Sequence, residues 1–179
     1  MTDIVRAGIK DIDVLVETGR RSLLESHGHS APVDVFQSYL DAKLTHAALQ
    51  DELSDPRNIF HIIYHHHKPA GFSKIIYSQP VKDLAENNLT KMERLYLLQE
   101  FHGRQLGHLL LQHNIDLSRQ QGEAGMWLYV WKENDRALRF YEREGFAIIG
   151  DGWFPLTAEH ANPNWQMLLR YESTSKVGV

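Results

Sequence analysis

The stretch WLYVWKENDRALRFYEREGF, Trp127 to Phe146, decides how the rest of this chain is read. Its opening residues are aromatic and β-branched, so with Met126 they read as a strand. Asn134 follows as a helix cap, because its side-chain oxygen can accept from an orphan N–H of the first turn. DRALRFYERE then reads as a short helix, closed by Gly145 at its C-terminus. Asn134 and Tyr141 are two helical turns apart and share one face.

Working back from this unit, QEFHGRQLGHLLL, Gln99 to Leu111, carries two glycines and then turns apolar. It reads as a turn opening a helix from Arg104, with Leu106, Leu109, Leu110, His113 and Leu117 on one face. The first N–H groups of a helix lack internal partners and carry partial positive charge. Gly103 and Gly107 let a ligand approach the backbone, and Arg104 and His108 add donors. Together these suit a diphosphate. It is not a P-loop, because no Lys-Ser or Lys-Thr follows the second glycine, and the dinucleotide pattern G-x-G-x-x-G is absent.

The remaining segments frame this pair. Thr2 to Ala7 reads as a first strand, and Asp11 as the cap of a helix through IDVLVETGRRSLLES. HGHSAP breaks it. A second helical region runs from Asp34 through VFQSYLDAKLTHAALQDEL to Ser54-Asp55-Pro56. NIFHIIYHH and GFSKIIYS read as a hairpin turned by Lys68 to Gly71. Lys91 to Leu98 is a further strand, and FAIIGDGWF and NWQMLLRYE are the last two. The elements make a mixed α/β single domain. It is expected over 1–172, with a flexible tail over 173–179.

Composition bounds the function. The chain has 179 residues and no cysteine, so it can hold a real core but no disulfide or thiolate metal site. Its formal net charge of -4 argues against a nucleic-acid-coating protein. No apolar run approaches a membrane span and MTDIVRAGIKD is not a signal peptide, so the expected compartment is cytoplasm, with no membrane partner.

With these residues in place, the chain resembles the GNAT superfamily of N-acetyltransferases. The carriers are Asn134, Ala137, Phe140, Tyr141, Gly145 and Phe146, preceded by HGRQLG where that family has its pyrophosphate loop Q/R-x-x-G-x-G/A. One departure stands in the loop: Gln105 occupies the place of the usual central glycine. RRSLLESHG through GFSKI, and MERLYLLQEFHG, are similar to bacterial spermidine/spermine N-acetyltransferases. The resemblance implies a mostly antiparallel central sheet flanked by helices. It implies acetyl-CoA as cosubstrate, a small-molecule amine acceptor such as a polyamine, and a homodimer by analogy. No metal is implied.

The same resemblance implies roles. Backbone groups of Leu95, Tyr96 and Leu97 would meet the pantetheine. Gly103, Arg104, Gln105, Leu106, Gly107 and His108 would cradle the pyrophosphate, and Asn134 would hold the arm from the other side. Glu93, read as sharing a strand face with Leu95 and Leu97, would accept the acceptor's proton. The alternative base position on the next strand holds Tyr129, a poor base at neutral pH. A backbone N–H near Leu97 or Leu98, freed by a bulge, would meet the oxyanion. Tyr141 would protonate the leaving thiolate. The amine would attack directly, through a tetrahedral intermediate.

Other features stay open. In HIIYHHHKP, His61, His65, His66 and His67 read as a strand end running into a turn. His27 and His29 lie in a loop that can border an acceptor. Trp127, Tyr129 and Trp131 alternate on one strand face. Asp34, Asp41 and Glu93 could meet a polycation. The acceptor could equally be an amino acid, an antibiotic or a protein N-terminus, and an acyl-CoA-binding module without catalysis is the rival class.

Overall fold

A computed structural model describes residues 1–172. The tail expected over 173–179 lies outside the described residues. Seven strands form one sheet, in the order β1-β2-β3-β4-β5-β7-β6. They are β1 (Thr2–Arg6), β2 (Asn58–His65), β3 (Lys68–Ile76), β4 (Leu89–Leu97), β5 (Gly125–Trp131), β6 (Ala147–Pro155) and β7 (Ala161–Arg170). Every neighbouring pair is antiparallel except β4 and β5. The helices are α1 (Ile12–His27), α2 (Val33–Lys43), α3 (His46–Ser54), α4 (Leu106–Gln120) and α5 (Asp135–Arg143).

Strand alternation builds two cores. Phe60, Ile62 and Phe72 meet Leu15, Leu23, Leu40 and Leu49 of α1, α2 and α3. On the other side Ile59, Ile75, Met126 and Leu128 meet Leu111 and Ile115 of α4 and Tyr141 of α5. Each fully buried leucine or phenylalanine contributes about 1.5–3 kcal/mol, so both faces are needed to hold the sheet.

Several local expectations are corrected. The second helical region is two helices. Thr45 has extended backbone and its hydroxyl accepts from Ala48 N–H at 3.2 Å, restarting the helix as α3. Asp11 does not cap α1 with its side chain; its carboxylate accepts from Gly8 N–H at 2.9 Å instead. The hairpin turns at His66 and His67, with φ of 48° and 63°, while Lys68 to Gly71 already lie in β3. Helix α4 begins at Leu106, not Arg104, and its buried stripe is Leu106, Leu110, Leu111, Asn114, Ile115 and Ser118. Leu109 is exposed.

One histidine pair, with His61 buried and His113 half-buried, makes the fold acid-sensitive. His61 of β2 and His113 of α4 stack edge to face at 4.5 Å, and neither His61 Nδ1 nor His113 Nε2 has a partner. Burial first, then His113 and Arg6, pull His61 down to about 3. The unfolded chain therefore takes up the proton before the folded one does. The stabilisation is complete above the ordinary value near 6.5 and is lost as pH falls from there toward 3. Urea unfolding of the wild type should weaken over that window, and His61→Phe should flatten the decline.

Candidate active site

The sheet splits in the middle. β4 and β5 pair only over Leu89 to Lys91 with Gly125 to Trp127. Both then run on to Leu97 and Trp131 without pairing, and a cavity of about 850 Å³ fills the wedge. Backbone direction follows from the ladder. Leu98 N–H donates to Ala70 C=O at 2.9 Å. Antiparallel pairs alternate, so Tyr96 also spends its backbone groups on β3, opposite Phe72. Leu95 and Leu97 therefore turn theirs into the wedge. The Leu97 carbonyl accepts from His102 Nε2 at 3.1 Å, which leaves its N–H. Of the two N–H groups expected to meet an oxyanion, Leu98 is thus already spent. Tyr96 contributes its ring, stacked near Phe72 and His27.

The loop after β4 enters α4 through left-handed backbone, with φ of 76° at Gly103 and 59° at Gln105. The first helical bond runs from Leu109 N–H to Gln105 C=O, so the N–H groups of Leu106, Gly107 and His108 lie ahead of the ladder. A Cβ on Gly107 would sit 3.4 Å from Leu97 Cδ1 and 3.8 Å from Phe140, which is ordinary contact, so packing against these neighbours does not itself require glycine there. Glutamine bears the left-handed cost that glycine avoids, about 1–2 kcal/mol before chain entropy. Gln105→Gly should raise the melting temperature by up to about 3 °C, read by calorimetry.

The charges here are not all those the sequence suggested. Arg104 is exposed and does not line the cavity. Arg136 and Arg143 of α5 do, seven residues apart on one helix face, and that spacing was the signal for them. His102 Nδ1 meets the Arg136 guanidinium. His108 bonds Glu144 at 2.8 Å, tying α4 to α5.

On the opposite wall, Asn134 Oδ1 accepts from Ala137 N–H at 3.1 Å and caps α5, leaving Nδ2 as its donor. Tyr141, one face along, is buried between Phe140 and Phe146 at ring distances of 5.0 and 5.6 Å and lines the cavity. Burial pushes its phenol above the ordinary value, so it stays protonated at neutral pH.

A splayed parallel pair, a left-handed loop opening a helix and an Asn-capped second helix share one cavity. The profile of the acetyltransferase (GNAT) family matches residues 21–146 of this chain. The chain belongs to that family. An uncharacterized N-acetyltransferase of Mycobacterium tuberculosis is 28% identical over 152 residues, 85% of this chain and 93% of the relative. Spermidine N(1)-acetyltransferase of Thermoplasma acidophilum is 24% identical over 148 residues, 82% of this chain and 88% of the relative. The crystal structure of the PaiA N-acetyltransferase of T. acidophilum, in complex with coenzyme A, shares the fold with a TM-score of 0.77 at 20% identity, covering 96% of this chain and 99% of that one. The expected GNAT architecture, a mostly antiparallel sheet between helices, is therefore the observed one.

In this GNAT acetyltransferase the far end of the wedge is charged. Lys74 stands opposite Arg94 and Ile75 opposite Met92, so Glu93 is the extra residue of a β-bulge. The bulge breaks the expected alternation. Leu95 and Leu97 pack with the α4 core, whereas Glu93 joins Lys91, Arg94 and Tyr39 on the other face. Glu93 pairs with Lys91 at 2.5 Å. Burial alone would raise its carboxyl, but Lys91, Lys74 and Arg94 outweigh it and hold it low. Glu93 is thus a weaker base than its position in the sequence suggested.

Trp127, Tyr129 and Trp131 do alternate along β5, with Lys91 lying 5.1 and 5.5 Å from the first two rings. His27 and His29 stack on Trp131 at 5.9 and 5.2 Å, and His27 lines the cavity. Burial first, then His29, pull His27 down to about 4, so it is neutral at physiological pH. Asp41 instead pairs with Arg20 on the surface. Among the described residues, no helix is long and apolar enough to cross a membrane.

Proposed function

We propose that this acetyltransferase moves an acetyl group from acetyl-CoA to a primary amine of a small molecule. The observation that carries it is the wedge, where the backbone of Leu95 and Leu97, the N-terminus of α4 and the Tyr141 phenol meet one cavity. Leu95, Leu97 and the Nδ2 of Asn134 suit an amide-bearing arm. The N–H groups of Leu106, Gly107 and His108, with Arg136 and Arg143 nearby, suit a diphosphate. The thioester supplies an activated acyl carbon.

Each remaining role belongs to a residue of this chain. Leu97 N–H donates to the acyl oxygen as it gains charge. Glu93, directly or through water, takes a proton from the acceptor ammonium, which neighbouring cations already make easier to lose. The nitrogen–carbon bond forms, the nitrogen sheds its second proton to solvent, and the carbon–sulfur bond breaks. Tyr141, which burial keeps protonated at neutral pH, donates its proton to the departing sulfur, and its raised proton affinity restores the phenol after turnover. No enzyme nucleophile is required, in keeping with a chain that has no cysteine.

Titrating acetyl-CoA by calorimetry and assaying an amine panel, spermidine included, tests this. Binding followed by N-acetylation supports it. Binding with no amine acetylated leaves an acyl-CoA-binding module, and no binding removes the cradle itself.

A further inference from the structure

Beside the wedge lies a second chamber of about 330 Å³. The two share Tyr39, Lys91, Glu93, Tyr129 and Phe154 as common walls. The chamber's charged lining is four cations, Lys43, Lys74, Lys91 and Arg94, against two carboxylates, Glu52 and Glu93. This surplus runs against the chain as a whole, whose formal net charge is -4.

Both carboxylates are already committed. Glu52 accepts two bonds from Arg94, at 2.9 and 3.0 Å, and lies 2.9 Å from Lys74. Glu93 is held by Lys91. Burial, then Arg94, lower the Lys74 ammonium below its ordinary value, as expected where cations outnumber their partners. A buried Arg94–Glu52–Lys74 triad could by itself serve only to tie α3 to the sheet. Such a tie does not call for Lys43 at the rim, nor for Lys91 held over two aromatic rings beside the wedge.

A polyamine would bring further positive charges into a chamber whose cations already outnumber its carboxylates four to two. A carboxylate would instead balance the surplus. Resting on the acetyltransferase reading above, we infer that the acceptor is an amine carrying its own carboxylate, an amino-acid-like zwitterion. Its amino group lies toward Glu93 and the wedge, and its carboxylate toward Lys91 and Lys43. Neighbouring cations then lower the amine's proton affinity where it must attack.

The test uses length-matched acceptors: aminoalkanoates from glycine to 5-aminopentanoate, the corresponding monoamines, and diamines with spermidine. For one aminoalkanoate, kcat/KM should exceed those of its monoamine and diamine analogues by about tenfold or more, as a charge-assisted contact allows. Lys91→Met should bring that ratio toward one, and Lys43→Met, at the exposed rim, should lower it in the same direction. Equal or better turnover of diamines or spermidine would overturn the inference and leave the acetyltransferase reading intact, as would a ratio that neither substitution moves. Should no amine be acetylated although acetyl-CoA binds, the functional reading fails separately. Calorimetry of aminoalkanoate against monoamine, with CoA present, then decides the inference: tighter binding that Lys91→Met abolishes supports it, and equal binding overturns it.

Discussion

Tyr141→Phe is expected to slow acetyl transfer by about 10²–10⁴-fold, while acetyl-CoA affinity changes only a few-fold. The substitution keeps the ring that packs between Phe140 and Phe146 and removes only the hydroxyl. Fold and binding should therefore survive, and proton delivery to sulfur should not. Steady-state kinetics beside calorimetry separate the two. The pH profile adds a second check. Because burial raises the phenol, wild-type activity should not fall between neutral pH and about 9 through loss of this proton. A phenylalanine variant with wild-type turnover would reduce Tyr141 to a packing residue.

Glu52→Gln is expected to be the most damaging change to the fold away from the wedge, costing about 3–5 kcal/mol. Arg94 and Lys74, with side chains 7% and 8% exposed, would be left without their carboxylate. A chain of this size should lose about 10 °C or more in melting temperature. Burial would raise the Glu52 carboxyl, but Arg94 and Lys74 overcome that and lower it. The wild type should therefore keep this contribution above the ordinary carboxylate range and lose it as pH falls through the lowered folded value. Replacing all three residues with apolar ones should recover part of the loss, since it strands no charge. A Glu52→Gln protein melting within a degree or two of wild type would show that the network adds nothing.

Features with a local physical cause were legible in the sequence. Asn134 caps α5 and Gly145, at φ 93°, ends it, as their chemistry dictates. Gly103 and the start of a helix after it marked the loop. What failed depended on neighbours distant in the chain. The Glu93 bulge exists only against β3, so alternation read along one strand placed the side chain on the wrong face. Histidine is a weak turn signal, and the hairpin at His66 and His67 was displaced onto Lys68 to Gly71. Leu109, Leu110 and Leu111 are equally apolar, and only packing against the sheet selects the last two for the core and leaves Leu109 exposed. Arg104 looked like the loop's cation, but the lining charge comes from Arg136 and Arg143, on an element that only folding brings there.

The interrupted pairing of β4 and β5 also bears on how the protein breathes. Leu95 and Leu97 lie near the centre of a seven-stranded sheet, yet their amides belong to a rim. In the ligand-free protein they should exchange hydrogen with solvent at rates typical of outer strands, unlike those of Phe72 or Tyr96 next to them. A ligand arm bound between β4 and β5 would pair with the backbone groups these strands leave free beyond their short ladder. Thermal resistance should therefore track ligand supply, rising by about 2.7 kcal/mol at a hundred times the Kd.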